Sequence, residues 1–278
     1  MAIFLSLLTA ASFGTGDFLG GLAGKRMPVR QVVVVSHLVG LVGITFASLV
    51  LAERFAVADV GWGALGGLAG GAGIALLYRG LARGPMGVVA PLTAITSAAV
   101  PSLWGVVVND ETLEIVAWAG VVVALAAIGL VSWSSGDTRR VSARSVVEAL
   151  LAGAGFGLMF VALDQTDAAS APWPIVGARL LTSTALVTFF LVRRERIVPR
   201  VAADRRLVVG AGLIDTGSNA LFLYANAEGA LTVVAVLSSL YPVATVLLAR
   251  VVLGERLSRT QQLGFGAALV ATALIAAG

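Results

Sequence analysis

Four ionisable side chains lie inside otherwise apolar runs: Asp17, His37, Arg179 and Asp215. A charge at the centre of a bilayer costs about 2.5–3.5 kcal/mol on insertion scales, so each should face protein or a wet cavity. Asp215 is followed by Asn219, Phe222 and Asn226 at i+4, i+7 and i+11, which a helix gathers into one polar-aromatic stripe. That stripe either lines a solute path or builds an interhelical hydrogen-bond network. Arg179 either neutralises Asp215 or Asp17 as a buried pair or grips a solute carboxylate with its planar fork. Thr182 and Ser183 extend its side of the helix. Asp17 is the candidate proton-coupling carboxylate, unless it sits near enough to the membrane edge to be merely hydrated. His37 either relays protons or is satisfied by a neighbouring backbone carbonyl. Trp104, Tyr78, Tyr224 and Tyr241 either wall the cavity or anchor helix ends at the interface.

The elements that must position these groups follow from the hydropathy. Mean hydropathy is +0.97 and 12% of residues are charged over 278 positions, which a water-soluble core cannot support. Ten apolar segments of about 20 residues, each about 30 Å long as a helix, match the hydrocarbon thickness. They run over 3–24, 29–52, 60–79, 86–108, 114–134, 145–163, 173–192, 207–226, 230–252 and 260–277. The runs are too long and too uniformly apolar for barrel strands. The expectation is an all-α integral membrane protein of ten transmembrane helices, whose first span begins at the N-terminus with no basic region before it. The connectors leave no room for a soluble catalytic domain. Cysteine is absent and histidine occurs once, which excludes thiolate chemistry and a His-rich metal centre. With no Walker-type loop, ATP-driven transport would need a partner. No enzyme activity, cofactor, metal or nucleic-acid partner is expected.

Connectors after odd-numbered spans, with the helix ends beside them, hold 17 of the 19 Lys and Arg residues. Positive-inside bias then puts those connectors in the cytoplasm and both termini outside a cell membrane. The chain also repeats itself. Glu111-Thr112-Leu113 and Gly120 match Glu255-Arg256-Leu257 and Gly264 at an offset of 144. Leu8–Gly14 resembles Leu151–Gly157 at 143, and Tyr78 and Gly84 match Tyr224 and Gly229. Two repeats of five spans, 1–136 and 137–278, must run in opposite senses because five is odd. That is the inverted topology associated with secondary transporters.

Leu240-Tyr241-Pro242-Val243, followed by Leu253-Gly254-Glu255-Arg256-Leu257, Gln261 and Gly264, resembles the C-terminal signature of EamA-type carriers of the drug/metabolite transporter superfamily. Val100-Pro101-Ser102-Leu103-Trp104 with Glu111-Thr112-Leu113 is a weaker first-half copy, and Ser12-Phe13-Gly14 running into Asp17-Phe18-Leu19-Gly20-Gly21 is also similar to that group. The resemblance spans essentially the whole chain and implies a ten-helix carrier moving a small organic solute, often outward, without ATP. Several members keep both termini in the cytoplasm, opposite to the charge count here.

Glycines four apart, Gly63, Gly67 and Gly71 with Gly66 and Gly70, suit close helix packing in lipid. Pro91, Pro101 and Pro242 each remove a helical hydrogen bond, making either a static kink or a gating hinge. Glu111 and Glu255 read as helix caps rather than ligands. Taken together, the residues fit a secondary transporter, an exporter in direction, for a small polar or amphipathic metabolite such as an amino acid, working by alternating access as a monomer or homodimer. Acidic and basic intramembrane groups together suit a zwitterion. The alternative is a proton-coupled exporter of lipophilic cations, with Asp17 as its first-helix carboxylate.

Overall fold

The computed structural model describes residues 1–24, 26–83, 86–132, 142–195, 197, 202–254 and 258–277, with the backbone alone at 78, 80–83, 86–88, 90, 91, 132 and 202–204. Among these residues there are eleven α-helices and no strand. They are α1 (Ala2–Gly24), α2 (Val29–Leu51), α3 (Val57–Arg83), α4 (Met86–Val107), α5 (Ile115–Ser132), α6 (Ala143–Asp164), α7 (Trp173–Arg193), α8 (Ala202–Asn226), α9 (Leu231–Ser238), α10 (Tyr241–Leu253) and α11 (Arg259–Ala277). Eight helical stretches are long and apolar enough to cross a membrane by length and composition, one of them the combined Leu231–Leu253. Two more, Leu92–Val107 and Ile115–Val131, are apolar but shorter over the described residues.

The outer surface explains the composition. Val50, Leu103, Leu191, Leu263 and Leu269 stand largely exposed. In water each would forgo about 1.5–3 kcal/mol of burial, whereas beside hydrocarbon it forgoes nothing. Helices also satisfy their own backbone there. The protein is a multi-pass helical membrane protein.

The ninth expected span, 230–252, differs from expectation because it is two helices, α9 and α10. Pro242 has no N–H to offer the Ser238 carbonyl, and the Val243 N–H turns instead to Leu240 O at 2.9 Å. The fourth span runs unbroken through Pro101, whose residue packs against Gly157 of α6. The expected boundary between repeats, 136/137, lies outside the described residues, as does Glu255.

Packing partners recur in a pattern. α3 packs on α6 and α7, and α8 on α1 and α2; α4 lies on α6, and α9 and α10 on α1; α5 pairs with α11, and α2 with α7. Exchanging α1 with α6, α2 with α7, α3 with α8, α4 with α9–α10 and α5 with α11 returns the same contacts. Two of these pairs run antiparallel. A Cβ on Gly120, near the start of α5, would lie 2.7 Å from Ile275 near the end of α11. One on Gly264, near the start of α11, would lie 2.7 Å from Val131 near the end of α5. In the other pair Arg30 meets Glu195 at 2.8 Å at one end, and the Glu53 N–H donates to Ala169 O at 3.0 Å at the other.

Polar ties gather alternate helix ends. Asp164, at the end of α6, accepts from Asn109 beyond α4 at 2.9 Å and from Asn226 of α8 at 2.8 Å. Glu111 accepts the Leu231 and Thr232 N–H groups at 2.6 and 3.0 Å. It therefore places a carboxylate at the positive end of α9, the capping role the sequence suggested for it. Arg54, the one basic residue among positions 52–56, 108–114, 165–172 and 227–230, bridges Asp167 at 3.1 Å and Asp59 at 3.6 Å.

Candidate solute site

Four helices bring the intramembrane groups together. α1 carries Asp17, α2 His37, α7 Arg179 with Thr182, and α8 Asp215. Close approach of α1 to α8 needs Gly16, where a Cβ would sit 3.3 Å from the Asp215 backbone nitrogen. That contact sets Asp17, the next residue, beside the Asp215 side chain, close enough for the two carboxyls to interact electrostatically. The carbonyl of Tyr241, at the start of α10, lies against Gly14, about one turn before Asp17.

Arg179 is the hub. Its Nη2 donates to Asp215 Oδ2 at 2.5 Å, and its Nη1 contacts His37 Nε2 at 3.0 Å. The other ring nitrogen, Nδ1, lies 3.0 Å from Thr182 Oγ1, which donates to Ala178 O at 2.8 Å. Arg179 is 8% and His37 6% exposed, while the Asp215 side chain keeps 37% of its surface. At 1.5 Å per residue, Asp215 lies about 16 Å and Asp17 about 10 Å from the nearer end of its helix. Asp17 is itself exposed. Both carboxylates thus keep accessible surface well away from the helix ends. No ion pair or hydrogen bond reaches Asp17 among the described residues, so the cluster presents one carboxylate held by a cation and one that is not.

The other sequence candidates fall elsewhere. Asn219 is buried and its Nδ2 donates to the Asp215 carbonyl at 2.8 Å, one turn back in its own helix. Phe222 is fully buried and stacks on Phe160 with ring centroids 4.2 Å apart. Asn226 belongs to the Asp164 tie at the helix ends. Trp104 packs beside Phe222 and Phe160, with its indole N–H buried and unpartnered. Pro101 and Pro242 lie in α4 and α10 as described. The side chains of Tyr78 and Pro91 lie outside the described residues. The helical stripe Asp215–Asn226 thus runs from the charged cluster to the helix end, passing through core packing on the way.

Thr182 completes the hub through its long-range bond to His37, and its one-turn spacing from Arg179 was the signal for it. Among the described residues no three His, Asp or Glu side chains converge to hold a metal ion.

A multi-pass helical bundle with a charged cluster at mid-depth is the class of protein that fold and site define. Residues 144–277 match the model of the EamA-like transporter family, a likeness to membrane transporters that covers the second half of the chain. No curated protein matches. Twenty-seven chains of solved structure do. One crystal structure superposes over 98% of this chain and 95% of its own with a TM-score of 0.77 at 18% identity, a likeness of fold.

Proposed function

We propose that the protein is a secondary active transporter that exports a small polar or amphipathic metabolite, an amino acid for instance, across a cell membrane by alternating access. Two inverted repeats of five spans, 1–136 and 137–278, rock about the charged cluster. The exchange-symmetric packing and the antiparallel α5/α11 and α2/α7 pairs support this reading, as does the break between α9 and α10, since transporter sites sit where helices are discontinuous. The crowding of Lys and Arg in odd connectors supports both termini outside.

The carrying observation is the Arg179–Asp215 pair at mid-depth, with Asp17 on the helix packed against it. A zwitterion finds there a carboxylate for its ammonium group and the edge of a guanidinium for its carboxylate. Purified protein in proteoliposomes tests this. Counterflow of labelled amino acids is expected in wild type and lost in Asp215→Asn and Arg179→Ala; wild-type rates in both variants would refute the site. A second reading, proton-coupled export of lipophilic cations, draws on Asp17 having no cationic partner. Counterflow of tetraphenylphosphonium, abolished by Asp17→Asn and absent for amino acids, would favour it.

A further inference from the structure

We infer that His37 is a positioning residue, held neutral with its proton on Nδ1, that fixes the Arg179 fork onto Asp215 and carries no proton of its own in transport. This rests on the reading of Arg179 and Asp215 as the solute site. Arginine has five N–H donors and no acceptor, so the 3.0 Å contact from Nη1 makes His37 Nε2 an acceptor. The ring proton must then sit on Nδ1, where Thr182 Oγ1 accepts it at 3.0 Å. Thr182 can accept because its own proton points to Ala178 O at 2.8 Å. Donation therefore runs one way: guanidinium to imidazole, imidazole to hydroxyl, hydroxyl to carbonyl. The opposite tautomer would set an N–H against an N–H at Arg179. A second ring proton would do the same and add a positive charge beside a positive charge, in a place almost closed to water.

Among the described residues, the helices packed on α2 bring no hydrogen-bond partner to His37 other than Arg179 and Thr182. α7 brings Arg179, α8 brings Asp215, already engaged by Arg179 Nη2, and α1 brings Asp17, which makes no hydrogen bond or ion pair among the described residues. The clamp also has a use. Arg179 has a long, flexible stem, and its Nε is buried without a partner. Asp17 follows Gly16, which packs against Asp215, so an unclamped guanidinium has a second carboxylate to turn toward. Held by His37, it stays on Asp215 and leaves Asp17 open to the solute.

The chain has one histidine, so the clamp can be read directly. Nitrogen NMR of ¹⁵N-histidine-labelled protein, purified without a histidine tag and placed in lipid nanodiscs, reports which ring nitrogen carries hydrogen. Across about pH 5 to 8, where an ordinary histidine changes charge, wild type is expected to show one neutral species protonated on Nδ1. Arg179→Met removes the donor to Nε2, and the ring should then titrate or move its proton. Thr182→Val keeps Arg179 in place and should hold the tautomer while shifting the Nδ1 signal as its acceptor goes. Titration of the wild-type ring, an Nε2–H tautomer, or a ring indifferent to Arg179→Met would each overturn the inference. His37→Gln, whose amide oxygen can still accept from Nη1, should melt close to wild type, and His37→Leu well below it. None of these readouts needs a solute, so a failed transport assay counts against the site and not against the clamp.

Discussion

Helices α3 and α8 stand in matching places, one wedged between α6 and α7 and the other between α1 and α2, yet they are built from opposite materials. α3 is lined with glycine. A Cβ on Gly67 would come 2.6 Å from Ala178 Cα and 2.7 Å from its carbonyl oxygen, so α3 and α7 touch backbone to backbone. Its single acidic residue, Asp59, is in the first turn. α8 places Asp215, Thr216 and Asn219 at mid-helix, where the Asp215 side chain keeps 37% of its surface. Similar packing thus serves two ends. One helix is a smooth bearing, and the other carries the chemistry. A transporter whose halves move as bodies needs both, because a charged cluster on each side would leave twice the buried charge to stabilise.

The largest effect expected from breaking this contrast lies on α8. Asp215→Ala strands the Arg179 guanidinium, which is nearly all buried. Orphaning a charge in a fully buried pair costs about 3–5 kcal/mol. Asp215 keeps 37% of its surface, so about 2–3 kcal/mol is the expected loss here. Adding Arg179→Met removes the stranded charge and should restore most of the melting temperature in detergent without restoring transport. A double variant as unstable as the single one would mean that Asp215 contributes packing rather than charge compensation.

The bearing is the next target. Gly67→Leu drives a side chain into the α7 backbone, and overpacking of this kind costs about 1–3 kcal/mol. Gly217 on α8 has nothing within 4 Å of its would-be Cβ, so Gly217→Leu should stay within about 0.5 kcal/mol of wild type. Thermal melts of the two variants decide whether glycine content or glycine placement matters. Equal losses would remove the distinction between the helices.

That distinction was half legible in the sequence. The four-residue glycine spacing on α3 and the lone charges at 17, 179 and 215 are local patterns, and each points to its environment by burial cost alone. Hydropathy placed the helices for the same reason. What hid was anything set by distant partners. Ser258 and Gln261 form a reciprocal cap three residues apart at the start of α11, a spacing visible in the chain. Glu111 read as a cap from its place at a helix end, but nothing local told that the helix it caps is α9, 120 residues away. The burial of Phe222 was likewise unreadable, since a helical stripe fixes which residues share a face but not where along it the charged cluster ends.

The smallest effect separates a charge that serves the fold from one that serves transport. Asp59 is 6% exposed and sits where the α3 dipole favours a negative group. It accepts from Ser170 Oγ at 2.6 Å, joining α3 to the turn before α7 at the helix ends, far along the bundle from Asp215. Ser170→Ala deletes one neutral donor to a carboxylate that Arg54 still faces at 3.6 Å. The expected loss is about 0.5–1.5 kcal/mol, with counterflow rates near wild type once folded protein is matched. A tenfold fall in transport at unchanged stability would place α3 in the working cycle as a gate, and its role as a passive bearing would have to be given up.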